Sequence, residues 1–278
     1  MIIDTHAHMD YEAFAPDFDE VLMRAREAGV TRIVTIATGV ESSLRAVALA
    51  EKYREIFAVV GIHPCHAHEE EPDAIERLEA LLGHPKVVAV GETGMDFFHL
   101  PSKQKRQGSN AQPPAGPEED AAVVAAQERV FHALLDLAAL YKKNVVVHQR
   151  AAWEETLRGL APFTGKLRGV FHCFGGTVAQ AKEVLSLGHL VSFTGIVTFK
   201  NGWNMREVAA AVPPGSFMVE TDCPYLAPEP HRGKRCEPAH TRLIAERVAA
   251  VRRMENEALF AETTAAAVSF FQLPSEDA

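Results

Sequence analysis

Four histidines and two carboxylates stand where short apolar runs of the chain end. The first run closes in Asp4-Thr5-His6-Ala7-His8, and later runs close at Glu92, His148, His172 and Asp222. Side chains two apart on a strand share a face, so Asp4, His6 and His8 are predicted to point the same way. That sets two imidazoles side by side, with Asp4 one layer deeper. One strand-end histidine is more often an ordinary core or surface residue; agreement across five strand ends is what carries the inference. Four imidazoles and two carboxylates gathered at one locus would be costly to bury uncompensated, and two divalent cations would convert their lone pairs into coordinate bonds.

Further polar residues surround this set. His63 ends its own apolar run just before Pro64, and reads better as a contact to a substrate phosphate or leaving group than as a ligand. Lys200, after the seventh run, and Arg232, Lys234 and Arg235, after the eighth, are candidates to bind flanking phosphates, although exposed cations are often no more than solvated surface charge. Asp4 and Glu220, one layer below, are placed to orient imidazoles.

These residues can meet only if the runs that end in them lie parallel. Strands are predicted at 1–8, 32–38, 56–63, 87–92, 144–148, 169–172, 190–194 and 217–222. Amphipathic segments at 18–28, 42–53, 73–82, 122–141 and 178–187 lie between them, and two more helices are expected at 239–252 and 256–270. Alternating strands and helices predict a parallel sheet, and eight such units predict an α/β chain folded as a TIM (β/α)8 barrel. A single domain over 1–278 is expected, because such barrels typically run about 250 residues. Barrel enzymes keep their active sites at the C-terminal rim of the strands, where the six residues above would converge. The stretch 101–120 breaks the rhythm. It is polar, carries Lys103, Lys105 and Arg106 near its start, and is expected to form a long loop insertion on the same face.

Composition narrows the class. The net charge of −9, from 28 Lys+Arg against 37 Asp+Glu, argues against a protein that coats DNA by general basicity, but not against an enzyme that grips phosphates locally. The four cysteines form no C-x-x-C pair and read as reduced thiols, which with the absence of a secretory pattern after Met1 points to the cytoplasm. No apolar run reaches the ~20 residues of a membrane span. A monomer is expected.

Five ordered motifs then invite comparison with a known family: Asp4-Thr5-His6-Ala7-His8, Gly61-Ile62-His63-Pro64, Gly91-Glu92-Thr93-Gly94-Met95-Asp96-Phe97, Phe171-His172-Cys173-Phe174-Gly175-Gly176 and Glu220-Thr221-Asp222-Cys223-Pro224-Tyr225-Leu226. Together they resemble the TatD family of metal-dependent deoxyribonucleases, over nearly the whole chain. The resemblance implies a barrel of the amidohydrolase superfamily that hydrolyses DNA phosphodiesters, commonly from a 3′ end. It implies that His6, His8 and Asp222 hold one metal and His148 and His172 the other, with Glu92 bridging. Two departures stand out: Cys236 replaces the family's usual asparagine, and the 101–120 loop is longer than usual.

On this reading two divalent ions, of magnesium, manganese or zinc, would acidify a water that Asp222 orients or deprotonates, making Asp222 and Glu92 the catalytic pair. The substrate would be nucleic acid: DNA first, with tRNA as the alternative if the enzyme is an ester hydrolase such as a D-aminoacyl-tRNA deacylase. A non-enzymatic metal-binding protein is the remaining alternative, weakened by the position of Asp222.

Overall fold

The computed structural model describes residues 1–104 and 116–274. Its strands are β1 (Ile2–Ala7), β2 (Val30–Ile36), β3 (Ile56–Val60), β4 (Val87–Asp96), β5 (Asn144–Arg150), β6 (Gly169–Phe171), β7 (Leu190–Phe193) and β8 (Phe217–Val219). They form one parallel sheet in sequential order, and a bridge from Ala7 to Cys223 brings β8 back against β1. The predicted eight-stranded barrel is thus the observed fold. The helices among the described residues are α1 (Phe18–Glu27), α2 (Val40–Lys52), α3 (Ala74–Glu79), α4 (Pro117–Leu140), α5 (Trp153–Leu160), α6 (Val178–Ser186), α7 (Trp203–Ala211), α8 (Thr241–Arg252) and α9 (Asn256–Phe271). None of them is long and apolar enough to cross a membrane.

Alternation along the strands sorts their side chains into two cores. Residues such as Val145, Val147, Phe217 and Val219 pack outward beneath the helices. An inner cluster takes at least one residue from every strand: Ile3, Val34, Phe57, Ala89, Val146, Val170, Leu190 and Met218 are among them. This is the packed interior expected of a barrel rather than a pore. Phe270 and Phe271, at the end of α9, and Leu273 just beyond it join the inner cluster. The Phe270 carbonyl accepts from Asn144 Nδ2, at the start of β5. The end of α9 therefore covers the N-terminal end of the barrel and leaves the C-terminal end open for chemistry.

Two predictions are revised here. Helix α4 starts at Pro117, so Pro117–Asp120 belong to a helix and not to the loop; proline at the first position followed by Glu118, Glu119 and Asp120 is a helix-start pattern. Lys103 ends a short 3-10 turn, Pro101–Lys103. Lys105, Arg106 and most of the expected insertion lie outside the described residues. The second revision concerns β1. Ile3 faces the inner cluster, and the register shifts between Asp4 and Ala7. A bulge of this kind changes the phase of alternation, so Asp4 is not stacked beneath His6 and His8.

Candidate metal centre and active site

Glu92 is the hub. The register of β4 shifts between Val90 and Thr93, so the strand aims Glu92 rather than its neighbours at the barrel mouth. Glycines make the approach possible. A Cβ on Gly61 would strike the backbone of Gly91, and one on Gly94, where φ is +144°, would strike the His148 carbonyl. The Glu92 side chain is buried at 2% exposure, and its two oxygens face different groups of imidazoles. Oε2 lies 3.3 Å from His6 Nε2 and 3.9 Å from His8 Nε2. Oε1 lies 2.6 Å from His172 Nε2, 2.8 Å from His148 Nδ1 and 3.6 Å from His63 Nε2.

Asp222 completes the first group, with Oδ1 3.4 Å from His8 Nε2 and 3.7 Å from His6 Nε2. Its backbone sits in the left-handed region at φ +59°, which carries strain for a residue other than glycine but is best tolerated by Asp and Asn. Its N–H donates to the His6 carbonyl at 2.8 Å, tying β8 to β1 at the site itself.

The tautomers follow from the outer contacts. His8 Nδ1 donates to the Ile36 carbonyl at 2.9 Å, leaving an Nε2 lone pair toward Asp222 and Glu92. His148 Nε2 donates to Asp96 Oδ2 at 3.1 Å, leaving Nδ1 toward Glu92. His63 is arranged the other way. Its Nδ1 accepts from the Cys65 N–H at 3.1 Å, so the neutral ring carries its proton on Nε2, the nitrogen facing the centre.

Against the burial that would lower them, the neighbouring carboxylates hold His8, His148 and His172 above the usual imidazole range. Burial would raise the Glu92 carboxyl, but the surrounding imidazoles, His172 foremost, hold it well below the usual carboxylate range. Burial, reinforced by His148, drives His63 down to about 3, so it is neutral near pH 7. The rings of His6 and His172 stack at 4.0 Å, and His148 Nδ1 lies 3.2 Å from His172 Nε2. Neither ring nitrogen of buried His6 has an aligned hydrogen-bond partner, and His172 Nδ1 is 3.7 Å from Glu220 Oε1, too far for a good hydrogen bond. Buried, unsatisfied imidazole nitrogens crowded round an ionised carboxylate fit divalent cations and little else. Donor atoms of His6, His8 and Asp222 lie within 4.8 Å of one another, as do those of His6, His172 and Glu220, and of His63, Glu92 and His148. The tautomer of His63 sets it apart from the other donors of the last group.

The remaining expected residues fall in different places. Glu220 accepts from the Cys173 N–H at 2.7 Å and the Thr5 hydroxyl at 3.4 Å, on the far side of His172. Asp4 turns to β8, accepting from the Thr221 N–H at 3.0 Å and the Thr221 hydroxyl at 2.7 Å. Lys200, Arg232 and Lys234 are exposed on the loops after β7 and β8, and the Arg232 guanidinium lies 3.7 Å over the Phe199 ring. None of these three lines the cleft above the centre. Arg235 is engaged elsewhere, in ion pairs of 2.7 Å with Asp17 and 3.0 Å with Glu237. Cys236 is fully buried and makes no approach to the cleft.

Two residues escaped the sequence reading. Asp96 is fully buried and holds His148; it was missed because β4 was expected to stop at Glu92, whereas it continues to Asp96. Arg150 lines the cleft, its guanidinium 4.0 Å over the Phe98 ring. It stands two residues after His148 on β5, the same-face spacing that singled out His6 and His8. The cleft measures about 1140 Å³ and is also lined by Tyr11, Trp153 and the half-exposed Tyr225.

A parallel barrel that gathers imidazoles around one carboxylate at the C-terminal ends of its strands has the architecture of the metal-dependent hydrolases of the amidohydrolase type. A family model described as TatD related DNase matches residues 3–272. The uncharacterized metal-dependent hydrolase YabD of Bacillus subtilis is 32% identical over 274 residues, spanning 98% of this chain and 100% of that protein. The 3′-5′ ssDNA/RNA exonuclease TatD of Citrobacter rodentium is 33% identical over 283 residues, covering 100% of both. Among solved structures, the TatD homolog YJJV of Escherichia coli K12 superposes with a TM-score of 0.84 at 28% identity, covering 98% of each chain. The chain belongs to the TatD related DNase family and is a metal-dependent hydrolase of that family.

Proposed function

We propose that the protein is a 3′-5′ exonuclease that removes nucleotides from single-stranded DNA. The observation that carries this reading is the imidazole–carboxylate centre at the floor of a cleft of about 1140 Å³ with a cation and aromatic rings in its walls. That volume lies just above the range of ordinary ligand pockets, roughly 300–1,000 Å³, and suits a strand terminus better than a long duplex. Aromatic rings beside a cation are the usual means of holding unpaired bases and their phosphates. The family's description and the activity named for the Citrobacter rodentium relative point the same way.

His6, His8 and Asp222 would hold one cation and His148 and His172 a second, with Glu92 shared between them. When bound, the cations supply Lewis acidity, which makes water nucleophilic near neutral pH and offsets the charge of the phosphodiester. The chain's own groups do the rest. Water attacks phosphorus, the bond from phosphorus to the 3′ oxygen of the penultimate sugar breaks, and Asp222 takes the proton of the attacking water. His63 is neutral with a proton on Nε2, so it donates a hydrogen bond to the leaving 3′ oxygen, which takes its proton from solvent while Asp222 returns the proton it accepted to water. Arg150 binds the phosphate flanking the scissile one, and Tyr225, 54% exposed at the rim, offers a face to the terminal base. Asp96 and Glu220 orient His148 and His172.

The test is digestion of a 3′-end-labelled single-stranded oligonucleotide with Mg²⁺, Mn²⁺ or Zn²⁺, with EDTA and Asp222→Asn as controls. Labelled 5′-mononucleotide released by the wild type alone is expected. Asparagine tolerates the left-handed backbone at position 222, so the variant should fold. Intact DNA from a metal-loaded, folded enzyme would overturn the reading and move attention to D-aminoacyl-tRNA esters.

A further inference from the structure

We propose that Cys65, Asp96 and His99 form a separate site for a thiophilic divalent cation, zinc by preference, beside the catalytic centre and coupled to it through Asp96. The three donors come from neighbouring turns at the barrel mouth. Cys65 lies in the short 3-10 turn after β3, Asp96 is the last residue of β4, and His99 lies in the loop that follows. Their donor atoms lie within 4.8 Å of one another, and Cys65 and His99 both line the cleft, which leaves a path for a cation and for water as a further ligand.

The geometry is close to what zinc requires. Tetrahedral zinc with bonds of about 2.3 Å to sulfur and about 2.1 Å to oxygen sets those two ligands roughly 3.6 Å apart. Cys65 Sγ lies 3.7 Å from Asp96 Oδ2. By the same arithmetic a nitrogen and an oxygen ligand sit about 3.4 Å apart. His99 Nδ1 is now 2.7 Å from Asp96 Oδ2, a hydrogen bond that would open by about 0.7 Å as the nitrogen exchanges its proton for the metal. His99 can make that move, since its side chain is 41% exposed. Asp96 need not move. Its Oδ1 accepts from the N–H groups of Phe98 at 2.8 Å and His99 at 2.9 Å, which fixes the carboxylate with Oδ2 toward the other two donors.

The same atoms select the cation. A sulfur donor beside an imidazole and a single carboxylate oxygen suits a metal that binds sulfur strongly. Magnesium, which favours oxygen ligands, would leave the site alone. Occupancy would also be felt at the catalytic centre. Asp96 Oδ2 accepts from His148 Nε2 at 3.1 Å, and a cation drawing on the same oxygen weakens that hydrogen bond.

Cobalt(II) reports the site directly, because a thiolate ligand gives it a charge-transfer band in the near ultraviolet. The chain is stripped with chelator and titrated with Co²⁺. The band is expected in the wild type and in Cys173→Ser, the other thiol near the centre. It should be lost in Cys65→Ser and weakened in His99→Gln, which alters an exposed side chain and leaves the fold intact. Elemental analysis should find one equivalent fewer of tightly held zinc in both Cys65→Ser and His99→Gln. Absence of the band in the wild type, or its survival in Cys65→Ser, would overturn the proposal. Neither result bears on DNA cleavage with Mg²⁺, so this site and the proposed exonuclease stand or fall separately.

Discussion

On the β1–β8 side of the centre, the backbone holds the side chains. His8 is fixed by the Ile36 carbonyl, Asp222 by its own N–H on the His6 carbonyl, and Asp4 by the Thr221 N–H, while Thr5 donates to the Val219 carbonyl at 3.0 Å. On the β3–β5 side, local loop amides anchor Asp96 and His63, and from there side chains hold side chains. His148 is oriented by Asp96, His63 lies 3.2 Å from His148, and Asp96 leans on the exposed His99. The first side shares its contacts with closure of the barrel, so changes there should cost stability. The second is assembled after the barrel exists, and should fail in activity while the fold persists. Glu92 belongs to both.

Removing the hub should erase the distinction. Glu92→Gln keeps the shape but loses the charge that both groups of imidazoles face. Turnover should fall on the order of 10⁴-fold, the scale of losing one member of a catalytic constellation. Tightly bound metal, measured by elemental analysis, should fall with it. A variant that retained both would show that neither side depends on the shared carboxylate.

Asp96→Asn sharpens the comparison on the β3–β5 side. Asn can still accept from the Phe98 and His99 amides, yet its neutral amide no longer polarises His148. Changes to groups that orient a metal-binding imidazole typically cost about 10–100-fold in metal affinity or activity. The expected outcome is a kcat loss in that range with an unchanged melting temperature. A lower melting temperature at full activity would assign Asp96 to the scaffold.

The same division marks what could be read from residue order. Eight β-branched runs, with amphipathic segments in five of the seven intervals between them, are a repeated local signal, and the barrel followed from it; the short α5 and α7 were not read as helices. His6, His8, Glu92, His148, His172 and Asp222 were legible as a group because each is a polar residue ending an apolar run, and the structure brings all six together at the barrel mouth. What was not legible depends on register or on distant partners. Bulges in β1 and β4 change which side chains share a face, so strict alternation misplaced Asp4. Asp96 lay hidden in a polar stretch, Gly91 to Asp96, that does not look like strand. Arg235 read as a free cation because one of the two carboxylates that engage it, Asp17, is 218 positions away, and the other, Glu237, lies near it only by the fold of the loop.

Thr221→Val tests the β1–β8 side, with the smallest expected effect. The substitution keeps the volume but removes the hydroxyl that donates to Asp4 at 2.7 Å and accepts from the Cys223 N–H at 3.2 Å. Leaving a buried acceptor short of a donor costs about 1–3 kcal/mol. The loss should depend on pH, because burial raises the Asp4 carboxyl to about 7 even with Thr221 pulling it down. An acid whose folded pKa exceeds its unfolded one weakens the fold as pH rises between the two values, from about 4 to 7 here. Without the hydroxyl the folded pKa climbs further and the decline continues past neutrality, so the variant's deficit in urea unfolding should be larger at pH 8 than at pH 5. Turnover per metal-loaded molecule should change little, since Thr221 touches no metal-binding atom. A deficit independent of pH would mean that Asp4 gains nothing from Thr221, and that the backbone contacts alone hold β1 to β8.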